Sequence, residues 1–358
     1  MLFGTLKNIK ITGLSAVVPA RELSLTDDKD LYGGDKRRIE RVIKSSGFLK
    51  RRVTDFNTTT ADLCEQAALD LFQGLNENRE SIDAVVFVSY TPDYLMPATA
   101  YVLHNKLGLS GHCLAMDMPQ ACSGYVLGLY QAGLLLNGGC KKVLLLVGDS
   151  FSKFSDMFRN RGAPIFGDAG SATLLEYDPD AEPMHFNIMS DSSRYDALIC
   201  RNGGFRNPPM KDNFYEDDSF KYNAEMKGGE IFEFAIQKVA PFISELLNRA
   251  NVKKNDIDYF VLHQANRCIL ENIALQLDIG MEKVPCDTLT HYGNQCGASV
   301  PCVLADKLSA EISSGSLSLL LSGFGVGLSA ANVLLKTCPM YCSGLKVFKT
   351  EGEEECRM

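Results

Sequence analysis

Four short stretches carry side chains suited to nucleophilic and oxyanion chemistry. In "MPQACSGYVLGL" (Met118 to Leu129), Ser123 and Gly124 permit a tight turn after Cys122. Apolar positions Val126, Leu127, Tyr130, Leu134 and Leu135 then recur at helical spacing until Asn137-Gly138-Gly139 ends the run. Cys122 is therefore expected at a helix N-terminus, where the macrodipole and unpaired N–H groups favour the thiolate. A small cysteine packed as a hydrophobe is the competing reading of this stretch.

His263 ends the apolar run "YFVLH" and opens a polar ring with Gln264 and Asn266, at the carboxyl end of a buried strand, where open α/β sheets gather ligand-binding groups. Asn294 lies in "HYGNQCGASVP" (His291 to Pro301), and its amide can donate to a developing oxyanion without titrating. An ordinary Asn in a glycine-flanked turn has the same local pattern. In "SGFGVGLS", Gly323, Gly325 and Gly327 alternate after a hydrophobic strand, so that backbone can approach a substrate closely and turn an N–H toward it. As a phosphate loop it fails, for it lacks both the Walker Lys-Ser/Thr and the G-x-G-x-x-G spacing.

The elements that must position these residues alternate between strand-like and helix-length segments. Strands are expected at Ile9 to Val18, Ala84 to Val88, Val143 to Val147, Ala172 to Leu175, Tyr259 to His263, Leu317 to Ser322 and Leu328 to Leu335. Helix-length segments lie between them, and the alternation predicts α/β architecture with largely parallel, buried strands.

A duplication underlies the pattern. "SIDAVVFVSYTPD" resembles "DIDYFVLHQANR", and the segment from Ala121 to Ser150 resembles that from Gln295 to Gly325. The displacement is 175 from Asp83 to Asp258, 174 from Cys122 to Cys296 and 175 from Gly148 to Gly323. Two homologous halves follow, residues 1–180 and 181–336, with a tail 337–358 expected to be mobile. Equivalent loops of the halves would then surround one shared centre. The polar segment Asp191 to Lys227 is an excursion in the second half.

Bulk properties exclude several classes. A net charge of -8 with scattered Lys and Arg leaves no basic stripe for nucleic acid. No apolar run is long enough to span a bilayer, and the cysteines lack disulfide-framework spacing, which together point to a cytoplasmic protein. With no C-x-x-C pair and five histidines, no metal site is expected.

The nucleophile segment, "FGDAGSA" (Phe166 to Ala172), "HQAN", "YGN" with "GASVP", and the late glycine loop occur in an order that resembles the beta-ketoacyl-acyl-carrier-protein synthase III enzymes of the thiolase superfamily. The resemblance runs from Ile11 to Leu335 and implies a five-layered α-β-α-β-α fold and a homodimer. It implies that Cys122 carries a primer acyl group as a thioester. His263 and Asn294 would assist decarboxylation of a malonyl-carrier extender, and the backbone N–H groups of Cys122 and Val326 would serve the tetrahedral intermediate. Val326 stands where the family usually has glycine.

The resemblance also assigns substrate contacts to Met96 and Phe324, the former at a position that crosses the family's dimer interface. Arg41 and Ser45 take the places of a tryptophan and an arginine that clasp coenzyme A, Arg161 resembles another such contact, and the chain has no Trp. An acyl-CoA primer remains one option beside an acyl-carrier donor. Arg267, Lys253 and Lys254 are expected to receive an acidic carrier protein. No cofactor is implied. Acyl transfer from Cys122 to an alcohol or amine, and a non-catalytic partner subunit, are the alternatives; the retained Cys, His and Asn argue against the latter.

Overall fold

A computed structural model describes residues 1–26, 35–154, 165–208 and 224–349. The chain opens with β1 (Leu2–Leu6) and β2 (Ile9–Val18), then β3 (Glu22–Ser24), α1 (Lys36–Ser46) and β4 (Lys50–Arg52), which pairs with β3. It continues through α2 (Thr60–Leu75), β5 (Ala84–Val88), α3 (Thr99–Lys106), β6 (Leu114–Met118), α4 (Gly124–Asn137), β7 (Lys142–Asp149) and β8 (Ala169–Tyr177). The second half contains β9 (Met184–Ser190), the short pair β10 (Leu198–Cys200) and β11 (Ala224–Met226), α5 (Gly228–Phe234) and α6 (Ala240–Ala250). After these come β12 (Tyr259–Leu262), α7 (Arg267–Leu277), α8 (Thr288–Tyr292), α9 (Ser299–Lys307), α10 (Ser309–Ser314), β13 (Ser318–Gly325), β14 (Ser329–Lys336) and β15 (Tyr341–Val347).

Two sheets carry the body, ordered β15-β2-β8-β7-β5-β6 and β1-β9-β14-β13-β12. Their facing sides enclose α4 and α9: Val86, Leu145 and Val147 of the first sheet and Leu319, Leu321 and Val333 of the second share one buried cluster with Val126, Leu129, Val300 and Val303. The outer face of the first sheet is covered by α2 and α3 through Leu63, Leu71 and Leu103, and that of the second by α6 and α7 through Ile243, Leu246, Ile269 and Ile273. These are the five expected layers. Strands β5 and β7 are apolar without alternation because both their faces are covered.

Three expectations are corrected. The sheets are mixed, with β8 antiparallel to both neighbours and β14 antiparallel to β13 and β9; the short connection from β13 to β14 can only reverse the chain. The halves also exchange their ends. β1 pairs with β9 in the second sheet, and residues 341–347 of the supposedly mobile tail form β15, parallel to β2, which otherwise would leave an open edge. Finally, of the apolar positions singled out in α4 only Val126 is buried: Leu127, Tyr130 and Leu135 are half-buried and Leu134 is 41% exposed, while Leu129, Ala132 and Leu136 face the sheets.

Gly128 and Gly133 in α4 let the helix approach the sheets, since a Cβ at either position would come within 2.7 Å of Leu145 or Ile9 side chains. No described helix is long and apolar enough to cross a membrane.

Leu129, fully buried in the central layer, and exposed Leu134 test this arrangement on one helix. Leu129→Ala is expected to lower unfolding free energy by about 2–5 kcal/mol in denaturant titration, and Leu134→Ala by no more than about 0.5 kcal/mol.

Candidate active site

Cys122 lies in the turn between β6 and α4, one residue before the Ser123 cap, and is buried. Two glycines of β13 press against it. A Cβ at Gly323 would stand 2.7 Å from Ser123 Cα and 2.8 Å from the Cys122 carbonyl oxygen, and one at Gly325 would stand 2.8 Å from the Cys122 sulfur. Gly325 also has φ = 153°, a backbone conformation that favours glycine. Close approach to the nucleophile thus accounts for Gly323 and Gly325. The turn after β13 is tied by the Ser329 hydroxyl, which hydrogen-bonds the Val326 carbonyl at 3.0 Å and the Ser123 hydroxyl at 2.8 Å.

His263 follows the last residue of β12, its N–H bonded to the Ser322 carbonyl at 2.8 Å. Its Nδ1 and the Ser299 hydroxyl are 2.7 Å apart, and the ring meets Phe324 edge-on at 5.5 Å between centroids. These two contacts fix the imidazole plane. Asn294 is held by its backbone: its N–H donates to the Ile165 carbonyl at 2.7 Å, and its carbonyl accepts from Gly167 N–H at 3.0 Å. The "FGDAGSA" segment therefore acts as a clamp, and its Gly167 is forced, because a Cβ there would lie 2.0 Å from the Tyr292 carbonyl oxygen. The Asn294 Oδ1 accepts from Cys296 N–H at 2.9 Å, which leaves Nδ2 as the free donor of the carboxamide.

Cys122, His263, Asn294, Phe324 and Val326 line one cavity of about 140 Å³. The Cys122 thiol is held well below the ordinary thiol range. The Cys296 thiol, which hydrogen-bonds its sulfur, contributes most; burial opposes; attraction to and a hydrogen bond with the His263 ring, and the Val326 N–H, add to the lowering. A buried sulfur whose anion is favoured in this way, beside an imidazole, an amide and a backbone N–H, can attack a carbonyl, and those donors can stabilise the resulting oxyanion.

The other expected contacts scatter. Arg267 starts α7 next to the lining residue Asn266, with Thr290 Oγ1 at 3.4 Å and the Asp287 carboxylate at 3.6 Å. Arg41 is exposed on α1, in a surface depression with Arg37, Glu40 and Lys44. Met96 is 86% exposed and lines no part of the cavity. Lys253 and Lys254, expected to receive the carrier protein, lie away from this cavity. They flank a groove with Asn251 and Leu277 at the far end of α7, about 16 Å along the helix from Asn266. Lys254 is consumed there as a helix terminator, bonding the Leu277 and Asp278 carbonyls and the Asp278 carboxylate. Arg161 lies outside the described residues.

Residues that sequence reasoning passed over complete the site. Ser299 orients His263, and Cys296 touches the nucleophile; the only signal for Cys296 was its alignment with Cys122 in the duplication. Leu198, Met226, Ile231 and Ala235 wall the cavity from the excursion and the helix after it. Ala235 begins a π-helical turn, Ala235–Val239, between α5 and α6, just before Pro241, whose missing N–H could not have completed an α-helical ladder.

Gly325→Ala places a methyl group against the Cys122 sulfur. Cys122 alkylation, followed by peptide mass mapping, is expected to slow at least ten-fold, while far-UV circular dichroism stays that of the parent protein.

The 3-oxoacyl-[acyl-carrier-protein] synthase III family model matches residues 116–192, and the model of that family's C-terminal part matches residues 247–337. A beta-ketoacyl-[acyl-carrier-protein] synthase III of Streptococcus agalactiae is 31% identical over 339 residues, covering 94% of this chain and 100% of that protein. A crystal structure of a 3-oxoacyl-(acyl-carrier protein) synthase from Burkholderia xenovorans superposes with a TM-score of 0.90 at 34% identity, covering 97% of this chain and 99% of that one. A 3-oxoacyl-(acyl carrier protein) synthase III structure from Pseudomonas aeruginosa gives a TM-score of 0.81 at 27% identity, covering 93% and 99%. With two glycines pressed on a buried cysteine, a serine-held histidine and a clamped asparagine in the motif order of that family, the chain belongs to the 3-oxoacyl-[acyl-carrier-protein] synthase III family of the thiolase fold.

Proposed function

We propose that the protein joins an acyl group to a malonyl unit carried on acyl-carrier protein, by decarboxylative Claisen condensation, as an initiating step of fatty-acid or related lipid or polyketide synthesis. The observation that carries this is the shared cavity, in which the Cys122 sulfur, the His263 ring, the Asn294 amide and Val326 face one small space. The Cys122 thiolate attacks the carbonyl of an acyl thioester, from a carrier protein or coenzyme A. The oxyanion is held by the N–H groups of Cys122 and Val326 and collapses with loss of the donor thiolate, leaving acyl-Cys122. The malonyl thioester then enters. Its carboxylate leaves as carbon dioxide, and the electron pair of the broken C–C bond forms an enolate whose oxygen accepts hydrogen bonds from His263 and Asn294. The enolate carbon attacks the acyl-Cys122 carbonyl, and collapse expels the Cys122 thiolate and releases a 3-oxoacyl carrier. Every step is thioester chemistry, so no cofactor enters.

An acidic carrier fits the surface beside the cavity. Residues 36–52 hold eight Lys or Arg against one acidic residue, Glu40, in a chain of net charge -8. Arg37, Arg41 and Lys44 lie exposed on one face of α1, and the α1 terminator Gly47 packs against Arg267 at the start of α7. The carrier is read here as docking on α1 and Arg267. A homodimer accounts for the other unpartnered surface. β6 is a sheet edge with exposed Leu114, and Tyr94, Leu95, Met96 and Tyr101 are exposed on the segment leading into and through α3. The eleven free cysteines among the described residues suit a reducing cytoplasm.

Incubation with acyl-CoA and acyl-carrier donors is expected to give an intact-mass adduct that is lost in Cys122→Ala. Malonyl-carrier protein should then yield carbon dioxide. His263→Ala and Asn294→Ala are expected to lower carbon dioxide release at least a hundred-fold while slowing acyl loading less than ten-fold. An acylated enzyme that releases no carbon dioxide and passes its acyl group to an amine or alcohol would contradict condensation. The double charge reversal Arg41→Glu with Lys44→Glu should raise KM for the carrier about ten-fold with kcat little changed, whereas Lys253→Glu should leave both unaltered.

A further inference from the structure

Asp149, the last residue of β7, carries a fully buried carboxyl that the condensation chemistry does not use. Its Oδ1 accepts from the Tyr90 N–H at 2.9 Å and the Ser89 hydroxyl at 3.2 Å, both just after β5 in the first half. Its Oδ2 accepts from the Gly297 N–H at 3.1 Å, in the second half. Gly297 belongs to the turn Cys296–Ala298 that opens α9. The joint has no slack there, because a Cβ on Gly297 would lie 3.0 Å from the Ala121 carbonyl oxygen and 3.2 Å from Val147 Cγ1. Cys296 has φ = 48°, the left-handed region that a residue with a Cβ seldom adopts. In that conformation its own N–H reaches Asn294 Oδ1 at 2.9 Å while the following N–H reaches Asp149.

We propose that Asp149 is a positioning residue for the extender's donors: its carboxyl, reaching across the junction of the halves to Gly297, holds the turn that orients the Asn294 carboxamide and seats Ser299 against His263. The inference rests on the reading in which Asn294 and His263 donate to the extender's enolate. The turn is fastened on one side by the Ile165 carbonyl and Gly167 N–H, which grip the Asn294 backbone, and on the other by Asp149. Without the Gly297 bond the Cys296 backbone is free to relax from the left-handed region, and its N–H turns away from Asn294 Oδ1. A carboxamide released in this way can rotate by half a turn and present an acceptor where the enolate oxygen needs a donor. Ser299, two residues beyond Gly297, lies 2.7 Å from His263 Nδ1, so both enolate donors depend on the turn that Asp149 pins. Cys122 depends on it less, since its place is set in the first half and by the glycines of β13.

The test separates two rates, acylation of Cys122 followed by intact mass and carbon dioxide release from malonyl-carrier protein by the acylated enzyme. Asp149→Asn keeps the size of the side chain, but its single carbonyl cannot serve both halves, and its NH2 group then faces an N–H donor. Carbon dioxide release is expected to fall about ten-fold or more in Asp149→Asn, with acylation within about two-fold of the parent. Ser89→Ala, which removes one anchor of Oδ1 and spares the Gly297 bond, should lose about two- to three-fold in carbon dioxide release alone, and this split decides the matter if Asp149→Asn does not fold. Equal losses in both rates, or unchanged carbon dioxide release in an Asp149→Asn protein that keeps the parent's melting temperature, would overturn the proposal. A crystal structure of Asp149→Asn needs no substrate: Cys296 is expected to leave the positive-φ region and its N–H to part from Asn294 Oδ1, and an unchanged turn would also overturn the proposal. A parent protein that acylates Cys122 but releases no carbon dioxide would defeat the condensation reading, and the crystal structure would then decide by itself whether Asp149 holds Asn294.

Discussion

A sulfur that is both buried and anionic must find its solvation in the protein, because an unpaired charge out of water is prohibitively costly. At Cys122 the groups that favour the anion come from three separate places in the chain: the Cys296 thiol, the His263 ring and the Val326 N–H. They belong to the loop before α9, the end of β12 and the turn after β13, all in the second half, whereas Cys122 belongs to the first. The nucleophile is inert as a thiol and reactive as an anion. Its chemistry therefore depends on the two halves being packed together to within a hydrogen bond.

The fold meets that demand by stacking the halves through α4 and α9, whose N-terminal ends carry Cys122 and the Asn294-Cys296 loop. Glycines at 323 and 325 bring β13 close enough for the Val326 N–H to reach the sulfur, and Gly167 lets the "FGDAGSA" segment grip Asn294. The exchange of β1 and β15 between the sheets binds each half to the other's edge. Such placement puts the reacting groups on rigid elements, with Leu198 and Met226 of the polar excursion supplying part of the cavity wall.

Much of the site was legible because each reacting residue sits where a periodic element ends. Cys122 precedes a helical run, His263 follows a four-residue apolar strand, and Val326 lies between two glycines after another. The repeat displacement then said that these ends meet. What could not be read depends on relations the local pattern does not carry. Ser299 matters only through the orientation of the His263 ring, and Cys296 through a left-handed backbone set by Asn294 and Asp149. β6 and β15 were missed because they lie at sheet edges, where hydrophobic alternation is weak. Charge in a sequence likewise does not say where it comes to lie: Arg267 starts α7 beside the cavity, whereas Lys253 and Lys254 lie near that helix's other end.

A crystal structure of the protein acylated by its donor tests the convergence most directly. The account predicts a single thioester on Cys122, its carbonyl oxygen hydrogen-bonded by the N–H groups of Cys122 and Val326, with His263 Nε2 and Asn294 Nδ2 facing the same space above the thioester carbon. An acyl group on another cysteine, or a carbonyl oxygen turned away from Val326 with His263 and Asn294 out of reach of a second substrate, would contradict it.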